Sequence, residues 1–261
     1  MQTTDIPHES TRDPIYLGVA GWNIRREHGE CFEPTGTHLQ RYASTFNSVE
    51  INSCFYRPHR LTTYERWAAS VPEHFRFAVK LPKTVTHKAR FVDALPLVDA
   101  FLAEVGGLGK KLGPILVQLP PSFSFEKDVV SGFLSELRSR FGGQLVIEPR
   151  HETWFNDEVE KILVDLEIAR VAADPARVPE AAVPRGFEKV VYYRLHGSPR
   201  IYYSAYPQEY LDEISARLHE HAARGATVWC IFDNTALGAA TKDALSVKSL
   251  LNESVRVGNG R

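Results

Sequence analysis

Three short stretches place chemically active side chains two residues apart: Glu50 and Asn52, Glu148 and Arg150, Arg194 and His196. In an extended strand, residues two apart share a face, so each pair addresses one space. An imidazole that titrates near neutrality suits general acid–base chemistry, which makes His196 the first choice for a catalytic group. Glu148 serves as its orienting partner or as a second base. An Arg fork matches carboxylate or phosphate oxygens, so Arg150 and Arg194, together with Lys80, point to an anionic ligand. Glu50, Asn52, His87, Gln118, Asp174 and Asn234 are the remaining candidates for substrate contact. Two other readings stand beside this one. The charges pair only with each other and plug the fold, or Glu50, Glu148, Asp174 and Asp233 hold a divalent metal with His87 or His196. The interspersed cations oppose a bound cation, so no metal and no cofactor is assigned.

These residues must be carried by strands. Apolar or β-branched runs recur at residues 15–22, 48–52, 75–81, 114–119, 144–150, 170–174, 190–197 and 227–234, each ending on a polar or turn residue. Helical segments are expected between most of them, at 38–46, 64–71, 97–108, 126–141, 157–166, 208–224 and 237–251, with Thr37 and Asn156 as caps. Such alternation implies parallel strands joined by crossovers. Eight strands in 261 residues give an α/β fold of the (β/α)8 TIM-barrel type, with an open doubly wound sheet as the alternative. Residues 175–189 contain three prolines, so the sixth crossover is expected to be an extended loop. If apolar residues such as Val49, Phe77, Val117, Ile147 and Tyr193 face outward, Glu50, Lys80, Gln118, Glu148, Arg150, Arg194 and His196 face inward, late in their strands. The parity of Asp174, Asp233 and Asn234 is ambiguous. In barrels of this type the C-terminal strand ends carry the active site.

Composition narrows the function classes. A net charge of −1 gives no basic excess for holding duplex nucleic acid by counterion release. Cys31, Cys54 and Cys230 are scattered, with neither disulfide-framework nor zinc spacing, which suits a reducing compartment and leaves the cytoplasm as the expected location. Residues 1–14 read as a flexible arm ahead of one domain at 15–261. No run approaches the roughly 18 apolar residues of a membrane helix. The first strand lacks a dinucleotide-binding glycine turn, and no phosphate-binding P-loop occurs.

At the strand ends the sequence resembles the YecE-like family, also termed domain of unknown function 72. The resemblance rests on Gly21-Trp22, FNSVEINSCFYR at 46–57, FRFAVK at 75–80 with Thr86-His87, and LGPILVQLPPSF at 112–123. It continues through EPRHETW at 148–154, YRLHG at 193–197, and FDN at 232–234 followed by Gly238-Ala239. It implies a (β/α)8-type barrel and no established activity. Three positions depart from the family's pattern. Cys54 stands where Thr is common, which argues against an obligatory nucleophile there. Pro149 replaces an aromatic residue, and Asp233 replaces the first Asn of a pair.

The expected function is an enzyme, a hydrolase, lyase or isomerase, that applies acid–base chemistry to a small anionic or polyhydroxylated substrate at the barrel mouth. The alternatives are a noncatalytic module binding a small anion or single-stranded nucleic acid, and a divalent-metal-dependent hydrolase or isomerase. No membrane partner is expected, and the sequence assigns no oligomeric state.

Overall fold

The computed structural model describes residues 15–258; the expected N-terminal arm lies outside them. The strands are β1 (Ile15–Val19), β2 (Ser48–Ile51), β3 (Arg76–Lys80), β4 (Leu112–Gln118), β5 (Leu145–Glu148), β6 (Ile168–Arg170), β7 (Ala172–Asp174), β8 (Arg185–Gly186), β9 (Val190–Leu195) and β10 (Thr227–Phe232). The helices are α1 (His38–Ala43), α2 (Ser53–Tyr56), α3 (Leu61–Ala69), α4 (Leu95–Val105), α5 (Lys127–Arg140), α6 (Asp157–Asp165), α7 (Gln208–Ala223) and α8 (Ala239–Gly258). One sheet has the order β1-β10-β9-β7 and the other β2-β3-β4-β5-β6-β8. The ladders are parallel except for the short β6–β8 pair. The fold is therefore mixed α/β with parallel sheets.

The expected sixth strand begins earlier, at Ile168, and is broken at Val171. Its first half pairs with β5 and its second with β9, so one run of chain belongs to both sheets. The segment between β7 and β9 contains a 3-10 turn (Pro179–Ala182) and β8 but no α-helix, as its prolines led us to expect. Several short elements were not foreseen, among them α2, directly after Asn52, a π-helical turn at Thr84–Lys88, and 3-10 turns at Arg26–Cys31 and Glu152–Trp154.

Where β1 runs beside β2, side chains hold the strands in place of a regular ladder. The buried Tyr42 hydroxyl accepts from Val19 N (2.9 Å) and donates to Ser48 O (2.8 Å). Asn47 accepts from Leu17 N (2.9 Å) and donates to Ile15 O (2.8 Å). A single parallel bridge joins Ala20 to Glu50. Gly18 permits the approach, because a Cβ there would lie 2.0 Å from Ser48 O.

Strand alternation divides the apolar residues into two layers. Phe77, Val79, Ile115, Val117, Ile147 and Leu195 pack outward with α-helical residues such as Leu134, Leu163 and Leu218. Ala78, Leu116, Val146, Tyr192, Trp229 and Ile231 form a separate inner cluster. Trp229 fills the space over Gly113, where a Cβ would meet its ring at 2.5 Å. It stacks on Tyr16 (4.3 Å) and Tyr192 (6.1 Å) and donates to Gln144 (3.1 Å). One step further along each strand, towards the C-terminal end, this apolar plug gives way to charge.

Candidate functional site

Arg194, on β9, lies at the centre of that charged layer, and its side chain is wholly buried. Its Nε donates to Glu50 Oε2 (2.9 Å) and its Nη2 to Glu50 Oε1 (2.6 Å), a two-point contact that uses the edge of the fork. Nη1 donates to Glu148 Oε2 (2.6 Å), and Nη2 also reaches Asp233 Oδ2 (3.0 Å). One guanidinium thus joins the ends of β2 and β5 to the residue after β10. Tyr192, two residues earlier on the same face, donates to Glu50 Oε2 (2.8 Å).

His196 stands two residues beyond Arg194 and lies between two carboxylates. Its Nδ1 is 3.0 Å from Asp233 Oδ2 and its Nε2 is 3.3 Å from Glu148 Oε1. Arg150 closes the other side of Glu148, with Nε and Nη2 at 2.8 and 2.7 Å from Oε1. Burial disfavours the imidazolium of His196, but Glu148 and Asp233 outweigh it and raise the pKa. Burial likewise pushes the Glu148 carboxyl up, and Arg150, Arg194 and His196 overcome this to hold it well below the usual range. Asp233 is lowered against its own burial by Arg194 and His196. Four basic groups, His196, Lys80, Arg150 and Arg194, thus face three carboxylates, Glu50, Glu148 and Asp233.

Lys80 differs from the other cations. It ends β3 and is 9% exposed, and its ammonium lies 4.1 Å from the centre of the Phe55 ring. Among the described residues no carboxylate forms an ion pair with it: Glu50, Glu148 and Asp233 are taken by Arg194, Arg150 and His196. Burial, with Arg194 nearby, lowers its pKa to about 8 against the pull of those three carboxylates.

Two cavities open onto the cluster. One, of about 320 Å³, is bordered by Ala20, Asn52, Tyr56, Lys80, Tyr202, Asp233, Thr235 and Ala236. The other, of about 130 Å³, is bordered by Glu148, Arg150, His196, Arg177, Phe155 and Tyr202 among others. Tyr202 is common to both. It is held at φ +70° in the left-handed region that a non-glycine residue seldom adopts. Its N–H donates to His196 O, and its ring meets the imidazole edge-on at 5.8 Å.

The family model for the protein of unknown function DUF72 matches residues 16–259, nearly the whole described chain. The chain belongs to the DUF72 family. The UPF0759 protein YunF of Bacillus subtilis is 25% identical over 91% of this chain and 95% of its own length. The UPF0759 protein YecE of Escherichia coli is 31% identical over 54% of this chain and half of YecE. A crystal structure of a DUF72 protein from Thermotoga maritima superposes with a TM-score of 0.77 at 24% identity, covering 91% of this chain and 99% of that one. One from Enterococcus faecalis gives 0.76 at 22% identity, covering 92% and 96%. These two likenesses establish the fold that the DUF72 chain shares with them.

Within this DUF72 fold, the strand ends bring together Glu50, Lys80, Glu148, Arg150, Arg194 and His196. Asn52 borders the larger cavity, and its buried Oδ1 has no partner among the described residues. His87, on the π-helical turn, packs edge-on against Phe55 at 5.0 Å, and Thr86 Oγ1 lies 2.8 Å from its Nδ1. Burial, then Lys80 and Arg150, lower its pKa. Gln118 reaches the same layer, but its Nε2 donates to Leu119 O (2.6 Å) and it borders neither cavity.

Two expected contacts are corrected. Asp174 pairs in register with the outward Leu195, and its charge acts on Tyr206 and Tyr210 on the helical side. The break at Val171 hid this parity. Asn234 also faces away, donating to Ser204 O (2.9 Å) and Asp243 Oδ2 (2.7 Å). Its neighbour Asp233 takes the inward place. The inner Trp229 and Ile231 would have given that parity had the equally apolar Val228, Cys230 and Phe232 not matched them. As a carboxylate, Asp233 accepts from Arg194 and His196 together. Cys54 is buried, its thiol is pushed up to about 12 by burial, and its Sγ donates to Lys80 O (3.1 Å). It therefore buttresses Lys80 and is not poised as a nucleophile.

Proposed function

We propose that this protein is an enzyme acting on a small anionic or polyhydroxylated substrate, bound in the two cavities that Tyr202 divides. The observation that carries this reading is the paired arrangement itself. Committed charges form a buried frame, while Lys80, Arg150, Asn52 and Asp233 border the two cavities. The frame is a preorganised field and the exposed members meet the ligand. In this reading the two sheets form one closed (β/α)8-type barrel and a single domain. Three features support closure: the Ala20–Glu50 bridge, the Tyr42 seam, and the run from β6 into β7, in which Val171 N donates to Ile147 O (2.9 Å).

Both ring nitrogens of His196 already face carboxylates, so it acts through them: Asp233 meets the substrate from the larger cavity and Glu148 from the smaller. Arg194 has no free edge, which makes it a frame residue and leaves anion contact to Arg150 and Lys80. It also occupies the place between Glu50, Glu148 and Asp233 where a divalent cation would sit.

Calorimetry with phosphate, sulfate and sugar phosphates tests the proposal. Wild type is expected to bind at least one of them, with Arg150→Lys and Lys80→Met each weakening binding by about tenfold, the loss of one charge-assisted contact. His196→Gln is expected to keep binding and remove turnover. Absence of binding to every anion would make the cluster a structural plug.

A further inference from the structure

Among the charged residues of the layer, Lys80 alone lacks a side-chain ionic or hydrogen-bond partner among the described residues, yet it is enclosed and borders the larger cavity. An ammonium needed only for stability or charge balance would gain from a carboxylate contact, and three carboxylates lie in the same layer. Each is instead tied to a guanidinium or the imidazole. The Phe55 ring, 4.1 Å from the ammonium, compensates the buried charge less than a carboxylate would. This is the environment of an amine kept available as a nucleophile.

The geometry points to Lys80 as an imine-forming residue and to a small carbonyl compound bearing an anionic group as the substrate class. This rests on the reading of the two cavities as an anion site. Asp233 takes the proton that the Lys80 ammonium gives up; the neutral Nζ then adds to the carbonyl carbon, and the carbonyl electron pair passes to oxygen, which takes that proton from Asp233. The nitrogen loses a proton, the hydroxyl leaves as water after protonation, and the nitrogen lone pair closes the C=N bond. The product is a protonated imine plus one water, with no oxidant or reductant consumed. Asp233, whose carboxylate is 12% exposed on the same cavity, is placed to take the proton from nitrogen and return it to the departing hydroxyl. The iminium carries the same charge as the ammonium it replaces, so the net charge of the layer does not change when it forms. The cavity's volume of about 320 Å³ lies at the small end of the roughly 300–1,000 Å³ of small-molecule sites, which suits a compound of few carbons. Once Lys80 is committed to the carbonyl, the anion contact it shares with Arg150 falls to Arg150, from the adjoining cavity.

Reductive trapping decides the matter. Wild type is incubated at pH 7.5 with glyoxylate, pyruvate or dihydroxyacetone phosphate and sodium cyanoborohydride, and labelled lysines are mapped by peptide mass spectrometry. A free-amine fraction set by a pKa of about 8 rather than 10.5 exceeds that of an exposed lysine by on the order of a hundredfold at this pH. Labelling of Lys80 is therefore expected to outpace that of the exposed Lys127 and Lys161 by that order and to lose its preference in urea. Calorimetry with lactate and glycerol phosphate, which lack the carbonyl, runs beside it. Anion binding with no preferential labelling of Lys80 overturns the imine while the anion site stands. Absence of both overturns both. Selective labelling at Lys80, abolished in Lys80→Arg, supports it.

Discussion

At the scale of single residues, the charged layer separates groups committed to one another from groups that border open space. Arg194 supports: all of its nitrogens face carboxylates, and its side chain has no exposure. Arg194→Met leaves Glu50, Glu148 and Asp233 facing one another in low dielectric and is expected to lower unfolding free energy by about 3–5 kcal/mol in urea titrations. His196 gives a pH signature. Its folded pKa lies above the ordinary 6.5, so its stabilisation is complete below that value and is lost as pH rises through the folded value. Glu148 is lowered below 4.5, so its contribution is present above that value and fades in acid. Urea midpoints of wild type should fall as pH rises above 6.5, and His196→Gln should flatten that fall; an unchanged slope would show His196 neutral in the folded state. Much of this layer was legible in sequence because alternation assigns one face per pair, as for Glu148 with Arg150 and Arg194 with His196. What sequence could not show was commitment. Arg194 and Arg150 look alike as letters, and only packing reveals that one is spent and the other borders space.

At the scale of elements, the seam between β1 and β2 depends on side chains. Tyr42→Phe keeps the ring packing but leaves Val19 N–H and Ser48 C=O without their shared partner. The expected cost is about 1–3 kcal/mol by urea unfolding, with the C-terminal strand ends losing amide-exchange protection beside Ala20 and Glu50. A change below about 0.5 kcal/mol would show that the Ala20–Glu50 bridge and Asn47 suffice. The long amphipathic helices and the apolar strands were readable from periodicity and caps; Thr37 closes a capping box with Gln40, and Asn156 accepts from Val159 N. Among the elements that escaped, α2 and the π-helical turn are four and five residues long, too short for any period to repeat. The interruption at Val171 escaped for a different reason. The residues on both sides are apolar, and the change of partner strand is a property of the sheets rather than of local sequence.

At the scale of the whole molecule, the inner and outer apolar layers run through both sheets, so the proposed single domain should unfold in one step. Far-ultraviolet circular dichroism and tryptophan fluorescence are expected to give coincident urea transitions. Separated midpoints would count against a closed barrel. The stacked column beneath the charges has a further consequence. Trp229 is buried and stacks on Tyr192, and Tyr192 donates to Glu50, so an indole lies two contacts from the charged layer. Trp22 and Trp67 are only partly buried and should be open to a collisional quencher, whereas Trp154 and Trp229 should not. Under iodide the protein thus becomes its own optical gauge: the emission that survives reports on the interior, and a Trp154→Phe background narrows it to the indole beneath Glu50. Titrating a ligand into the cavity of such a protein would read out occupancy as a shift in colour, with no label attached.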